Sequence, residues 1–188
     1  MTEKTPPSDV SSPPPLEKGL VQVFTGEGRG KTSAALGTVI RALGNGLRVF
    51  IVVFMKAGHP SGEWDVLSKL QNVGVARFGA GSFVDPANIK PQDREEAARA
   101  LVAAHQAMLS GEYDLVVLDE VNVAVAWKLI ELEDVISLIG EKPTDVELIL
   151  TGRGADKEIV RVADLVTEML NIKHPYDEGT AARRGIEY

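Results

Sequence analysis

Leu20-Val21-Gln22-Val23-Phe24-Thr25-Gly26-Glu27-Gly28-Arg29-Gly30-Lys31-Thr32-Ser33 is the stretch on which the reading of this chain turns. A β-branched apolar run, Leu20 to Thr25, gives way to three alternating glycines and then to Gly-Lys-Thr at the head of a segment of helical composition. A strand that turns through glycines into a helix makes backbone N–H groups converge, and the helix N-terminus adds unsatisfied donors and partial positive charge. Such a cradle suits phosphate. Lys31 supplies a point charge for it and the Thr32 hydroxyl a ligand for Mg2+. Thr25, Gly26, Glu27, Gly28, Arg29, Gly30, Lys31, Thr32 and Ser33 are therefore candidate nucleotide contacts. A ligand-free glycine turn shares the glycines but does not need Gly-Lys-Thr at the helix start. In the pattern G-x-x-x-x-G-K-[ST] the first glycine falls at position 25, where this chain has Thr25, so the loop is a variant P-loop.

Outward from this loop, short β-branched runs alternate with helix-length segments, which predicts an α/β fold: a mostly parallel sheet with helices on both faces. The strands are expected at Leu20 to Thr25, Leu47 to Phe54, Val73 to Phe78, Leu115 to Asp119, Val146 to Thr151 and, more weakly, Leu165 to Met169. The first helix should run from Gly30 to about Leu43, where Gly44-Asn45-Gly46 supplies helix-ending residues. Further helices are expected from Gly62 to Gln71 behind a Ser61 cap, from Pro91 to Leu109, from Glu131 to Ile139 and from Asp156 to Ala163.

Leu115-Val116-Val117-Leu118 ends in Asp119-Glu120, as a buried central strand does when its C-terminal end faces a ligand crevice. In P-loop proteins an acid so placed orients Mg2+. The plainer alternative is that Asp119 caps the next helix. Spacing does not decide which carboxylate sits nearer the metal, so Thr32, Asp119 and Glu120 are all metal candidates.

The 188 residues carry a net charge of -7 and no cysteine. The acidic balance argues against nucleic acid as a partner, and the lack of thiols excludes disulfides, thiolate metal sites and a cysteine nucleophile. No apolar run approaches the roughly 20 residues a membrane span needs, so no membrane partner and a cytoplasmic location are expected. Residues 1–18, rich in Pro and Ser, read as a flexible tail, and 19–188 as a single domain.

With these pieces in place, the chain from Gly19 to Tyr188 resembles the P-loop ATP:corrinoid adenosyltransferases. Four segments carry the resemblance. They are the variant loop followed by Arg41-Ala42-Leu43-Gly44-Asn45-Gly46; Phe54-Met55-Lys56 with Gly62-Glu63; Val117-Leu118-Asp119-Glu120-Val121-Asn122; and Leu148 to Gly154 with Asp164 to Met169, Lys173-His174-Pro175-Tyr176 and Ala182 to Tyr188. The resemblance adds Arg41, Glu63 and Arg153 as candidate substrate contacts, Arg153 toward phosphate. Read alone, Arg153 suits a surface ion pair, and His174 is more often a loop or partly buried histidine than a catalytic one. An aromatic-x-aromatic element of the family is reduced here to Phe83 within Gly79-Ala80-Gly81-Ser82-Phe83-Val84, a residue that serves equally as packing. Many relatives carry Asn at the position of Glu27. A carboxylate there must point away from a triphosphate, or bind ribose hydroxyls or metal.

The family's reaction implies displacement at C5′ of ATP by Co(I) of a corrinoid, with triphosphate leaving. Lys31 and Glu120 are then the catalytic candidates, Mg2+ the cofactor, and an external reductase or flavin the electron donor; relatives are homodimers. A P-loop kinase or NTPase would use the same Lys31, Thr32 and Asp119 but release ADP. A nucleotide-dependent switch would bind ATP without corrinoid turnover. A corrinoid carrier or regulator that had lost the chemistry would bind corrinoid and leave it unchanged.

Overall fold

A computed structural model describes residues 16–58 and 61–186. The tail assigned to residues 1–18 therefore lies almost wholly outside the described residues. Six strands, β1 (Val21–Thr25), β2 (Val49–Val53), β3 (Val73–Arg77), β4 (Leu115–Asp119), β5 (Glu147–Thr151) and β6 (Leu165–Glu168), form one sheet in the order β3-β2-β4-β5-β1-β6. Every pairing is parallel. Parallel strands need crossovers, and among the described residues six α-helices lie along them: α1 (Lys31–Gly44), α2 (Gly62–Leu67), α3 (Pro91–Leu109), α4 (Val121–Ala126), α5 (Leu132–Gly140) and α6 (Lys157–Val162). A 3-10 turn, Pro175–Glu178, follows β6.

Both sheet faces are covered, which is why the central strands read as continuous apolar runs. Side chains alternate along β4: Leu115 and Val117 join α1 and α2 in one core, with Ala35, Val39, Trp64 and Leu67. Val116 and Leu118 join α3 to α6 in the other, with Ala100, Met108, Leu138 and Ile159. Among the described residues no helix is long and apolar enough to cross a membrane.

Three local expectations are corrected. Gly30 is the N-cap of α1 and not its first residue, because its φ of 119° is left-handed. The second helix stops at Leu67 and not Gln71, passing into turns in which Lys69 and Leu70 N–H groups bond back to Val66 and Leu67. Ser61 occupies the N-cap of α2 but makes no side-chain capping bond. One helix was not anticipated: α4 has the sequence Val-Asn-Val-Ala-Val-Ala, whose alternation and β-branched residues read as strand.

Candidate active site

Parallel pairing places the C-terminal ends of all strands on one edge of the sheet, where open α/β sheets bind ligands. The loop after β1 is held there by the chain leaving β6. Gly28 N–H donates to the Met169 carbonyl at 2.6 Å and Met169 N–H to the Thr25 carbonyl at 2.8 Å. The glycines are required by this contact. A Cβ on Gly26, whose φ is 93°, would lie 2.5 Å from the Met169 oxygen, and one on Gly28 2.4 Å from the Leu170 oxygen. Lys31 curls over the loop, its Nζ donating to the carbonyls of Gly26 and Gly28, each at 2.7 Å. Burial and the nearby Arg153 guanidinium lower the pKa of this ammonium, against the opposing pull of Glu120 and Glu27. Thr25 has a role of its own, its hydroxyl accepting the Ala155 N–H at 3.2 Å and tying the phosphate loop to the loop after β5.

The acidic end of β4 is the centre of the polar cluster. Asp119 is 1% exposed. Its Oδ1 accepts the Thr32 hydroxyl at 2.8 Å and the Thr151 hydroxyl at 2.7 Å, while Oδ2 faces Lys56 Nζ at 3.2 Å. Asp119 therefore does not cap a helix; the N-cap of α4 is Glu120. Lys56 also reaches Glu120 Oε1 at 2.9 Å. Burial alone would lower the Lys56 pKa, but the charges of Asp119 and Glu120 and the hydrogen bonds to both outweigh it and hold the ammonium well above an ordinary lysine.

Two adjacent strands are followed by left-handed, non-glycine residues, β2 two residues on at Met55 (φ 61°) and β4 at once by Glu120 (φ 66°). Such conformations cost on the order of 1–3 kcal/mol and persist where surrounding bonds enforce them. Here Glu120 N–H donates to Thr151 Oγ1 at 3.0 Å, and Phe54 N–H to the Asp119 carbonyl at 3.0 Å. Beside them Asn122 is fully buried, with Nδ2 3.4 Å from the Gly152 carbonyl and Oδ1 lacking a partner among the described residues.

The structure thus gathers Thr25, the glycine loop, Lys31, Thr32, Asp119 and Glu120. Exposed Ser33 lies in the first turn of α1, and the Arg29 guanidinium donates to the Ile186 carbonyl, which brings the C-terminal segment onto the phosphate loop. Glu27 faces Arg153, 3.3 Å away and exposed like itself. The pair is of the kind worth less than about 1 kcal/mol. Arg41 stands apart, ten residues beyond Lys31 and so about 15 Å along α1 at 1.5 Å per residue. Glu63 is half-buried in the first turn of α2, and Phe83 is 82% exposed, which removes core packing as its role. Lys56, Thr151 and Asn122 complete the cluster although sequence reasoning did not place them in the site. Lys56 and Asn122 sat inside recognised segments, and Thr151 ended an apolar run as Asp119 does; their convergence needed the strand order.

Thr32, Asp119 and Glu120 offer hard oxygen donors, a set that fits Mg2+ when phosphates and water supply the remaining ligands. Among the described residues no group of three or more His, Cys, Asp or Glu forms an all-protein cage.

Residues 17–188 match the family model described as ATP:corrinoid adenosyltransferase BtuR/CobO/CobP. The corrinoid adenosyltransferase of Escherichia coli strain K12 is 36% identical over 172 residues, covering 92% of this chain and 87% of that protein. The corrinoid adenosyltransferase CobA of Salmonella typhimurium is 37% identical over 174 residues with the same coverage, 92% and 87%. That of Pseudomonas aeruginosa is 35% identical over 173 residues, 92% of this chain and 85% of the relative. A family match over nearly the whole described chain, on a parallel α/β sheet with the phosphate loop and acidic strand end on one edge, makes this chain a member of the ATP:corrinoid adenosyltransferase family.

Proposed function

We propose that this chain transfers the 5′-deoxyadenosyl group of ATP to Co(I) of a corrinoid, in adenosylcobalamin synthesis or salvage. The cobalt electron pair forms the Co–C5′ bond, the C5′–O bond breaks, and inorganic triphosphate leaves with the electrons of that bond; cobalt passes from Co(I) to Co(III). The observation that carries this reading is the family match from residue 17 to 188 with Lys31, Thr32 and Asp119 converging at one sheet edge.

Because cobalt is the nucleophile, the protein needs neither a nucleophilic side chain nor a water-activating base. What it must supply is alignment and stabilisation of the leaving group's growing charge. Lys31 and the N–H groups of residues 26–30 serve the departing triphosphate. Mg2+, held by Thr32 and Asp119 with Glu120 beside them, would neutralise charge on the same oxygens. Asp119 keeps the Thr32 hydroxyl oriented through the 2.8 Å bond. Arg29 and Ser33 border the phosphate loop, and Arg153 enters on the phosphate side with Glu27 as its present partner. Glu63, in the first turn of α2, is a further substrate contact on this reading, and exposed Phe83 faces the corrinoid. Arg41 is too distant to touch a triphosphate bound at Lys31 of the same chain.

The same reading takes residues 19–188 as one domain with 1–18 as an appended tail, a cytoplasmic location, and an external reductase or flavin as the source of electrons for Co(I). A homodimer is supported by the edge strand β6, where Leu165 and Val166 are both exposed and lead to exposed Leu170 and Ile172. Sedimentation equilibrium tests it.

Incubating the protein with Mg-ATP and chemically reduced cob(I)alamin tests the reaction. The visible spectrum reports the cobalt–carbon bond, and the phosphate product is assayed alongside. Adenosylated corrinoid and triphosphate are expected, with Lys31→Ala slower by about 100-fold or more, the usual effect of removing a charge-stabilising donor. ADP as product, or ATP binding without cobalt–carbon bond formation, overturns the assignment in favour of a kinase or a switch.

A further inference from the structure

We infer that Lys56 is an internal counter-ion for the metal site, holding the Asp119 and Glu120 carboxylates in the nucleotide-free chain and yielding them only when metal arrives with nucleotide. The inference rests on reading Thr32 and Asp119 as the metal-binding pair.

Asp119 divides its partners by oxygen. Oδ1 is taken by the two hydroxyl donors, Thr32 at 2.8 Å and Thr151 at 2.7 Å. Oδ2 has the Lys56 ammonium at 3.2 Å, and the same ammonium holds Glu120 Oε1 at 2.9 Å. One cation thus spans both carboxylates on which a divalent ion would draw. Two cations within one ion-pair distance of the same carboxylate repel, the more so where that carboxylate is buried as Asp119 is, so metal and ammonium compete for it.

The lysine is built into this position. Its carbonyl accepts Arg77 Nη2 at 2.8 Å, the following Ala57 N–H donates to the Phe78 carbonyl at 3.1 Å, and the preceding Met55 is fixed left-handed at φ 61°. Gly79 presses against this turn so closely that a Cβ there would lie 2.9 Å from the Met55 carbonyl carbon. The backbone is therefore set while the four-carbon stem can swing, and the side chain is 34% exposed to the crevice. Incoming phosphates offer the ammonium a new anionic partner at the moment the metal takes the old ones. Metal affinity is low without nucleotide and high with it, so the chain does not load metal before its substrate.

The test titrates nucleotide-free full-length protein with Mn2+, as a probe for Mg2+, and reads free Mn2+ by electron paramagnetic resonance. Lys56→Met should bind Mn2+ at least tenfold more tightly than the unaltered chain, Lys56→Arg should match the unaltered chain, and adding Asp119→Asn to Lys56→Met should remove the gain. A merely structural lysine would weaken metal binding when lost, not strengthen it. Equal or weaker Mn2+ binding by Lys56→Met overturns the inference, as does a gain that survives Asp119→Asn. If Lys56→Met does not fold, side-chain 15N resonance of the unaltered protein decides. The Lys56 signal, assigned by its loss in Lys56→Arg, should shift with Mg2+ and ATP together and not with Mg2+ alone; any other pattern refutes the exchange. No corrinoid enters these measurements. A chain that passes them but forms no cobalt–carbon bond loses the proposed reaction and keeps this role for Lys56.

Discussion

Thr151→Val removes one buried hydroxyl at almost constant volume, and its effect can be worked from two bonds. The hydroxyl donates to Asp119 Oδ1 at 2.7 Å and accepts the Glu120 N–H at 3.0 Å, with Thr151 itself fully buried. The first bond is charge-assisted, a class worth about 1.5–3 kcal/mol, and losing the second leaves a backbone donor unsatisfied at about 1–3 kcal/mol. The two share an atom and do not add fully, so a loss of about 2–4 kcal/mol is expected. For a protein of this size that corresponds to a fall in melting temperature of about 5–15 °C. Glu120 is the residue held left-handed at φ 66°, and without its N–H anchor the strand end should relax and let Asp119 turn away from Thr32. Metal-dependent ATP binding should weaken accordingly, while ATP binding in excess chelator should change little. Urea unfolding and calorimetric titration with and without Mg2+ measure both effects, with Thr151→Ser, which keeps the hydroxyl, losing under about 1.5 kcal/mol. A valine variant within about 0.5 kcal/mol of the unaltered chain, binding Mg-ATP equally well, would refute the view that Thr151 positions the acidic strand end.

Gly28→Ala would place a Cβ 2.4 Å from the Leu170 oxygen, so the phosphate loop must part from the chain after β6; ATP affinity by calorimetry should fall at least tenfold, and an unchanged value would show that the loop is not held there. Thr25→Gly restores the missing glycine of the phosphate-loop pattern yet removes the acceptor for Ala155 N–H and frees the chain, so it should cost about 1–2 kcal/mol in urea unfolding, where a gain would contradict the tie. Asp114→Asn weakens an arrangement in which the carboxylate accepts Arg48 N–H at 2.7 Å and Nη2 at 2.8 Å, and with Arg48 half exposed a loss of about 1–2 kcal/mol at neutral pH is expected. Hydrogen bonding from Arg48 holds the Asp114 carboxyl below its ordinary value of 3.8, so this stability is fully present above that value and is lost as pH falls through the lower folded one. The difference between the unaltered chain and Asp114→Asn in acid denaturation should therefore shrink below about pH 4.

Where local chemistry alone decides an element, the sequence is enough. Proline at a first-turn position and a long helical composition place α3 at Pro91–Leu109, and an apolar run ending in acid places β4 at Leu115–Asp119, both as expected. Local chemistry fails for α4, whose valines favour a strand and whose helicity comes from packing Val121 and Ala124 against the core. It fails differently for Lys56 and Thr151. Thr151 ends β5 and Lys56 lies three residues beyond β2, and only the register Val53 with Asp119 on one side of β4 and Leu118 with Leu150 on the other brings them to the same carboxylate. Strand order is a property of the whole sheet, so a residue whose function depends on a neighbouring strand shows no sign of it in its own segment. Arg41 is the converse case: its segment resembles the family's, but helix rise carries it away from the phosphate loop.

The departure at position 25 follows from the same sheet. Thr25 is the last residue of β1, still paired with Glu168 of β6, so its backbone is extended and has no need of glycine. Because β1 lies between β5 and β6, the residue at its end can bond both neighbouring connections, and Thr25 does so: its hydroxyl takes Ala155 N–H from the loop after β5 and its carbonyl takes Met169 N–H from the chain after β6. The left-handed turn that a glycine must make begins one residue later, at Gly26. Arg153 and Glu27, the exposed pair at the crevice, sit on the two loops that Thr25 joins. The phosphate loop and the loop after β5 are thus joined twice, at the surface by this ion pair and beneath it by the Thr25 hydroxyl, and the second tie remains in place when a substrate phosphate draws Arg153 away from Glu27.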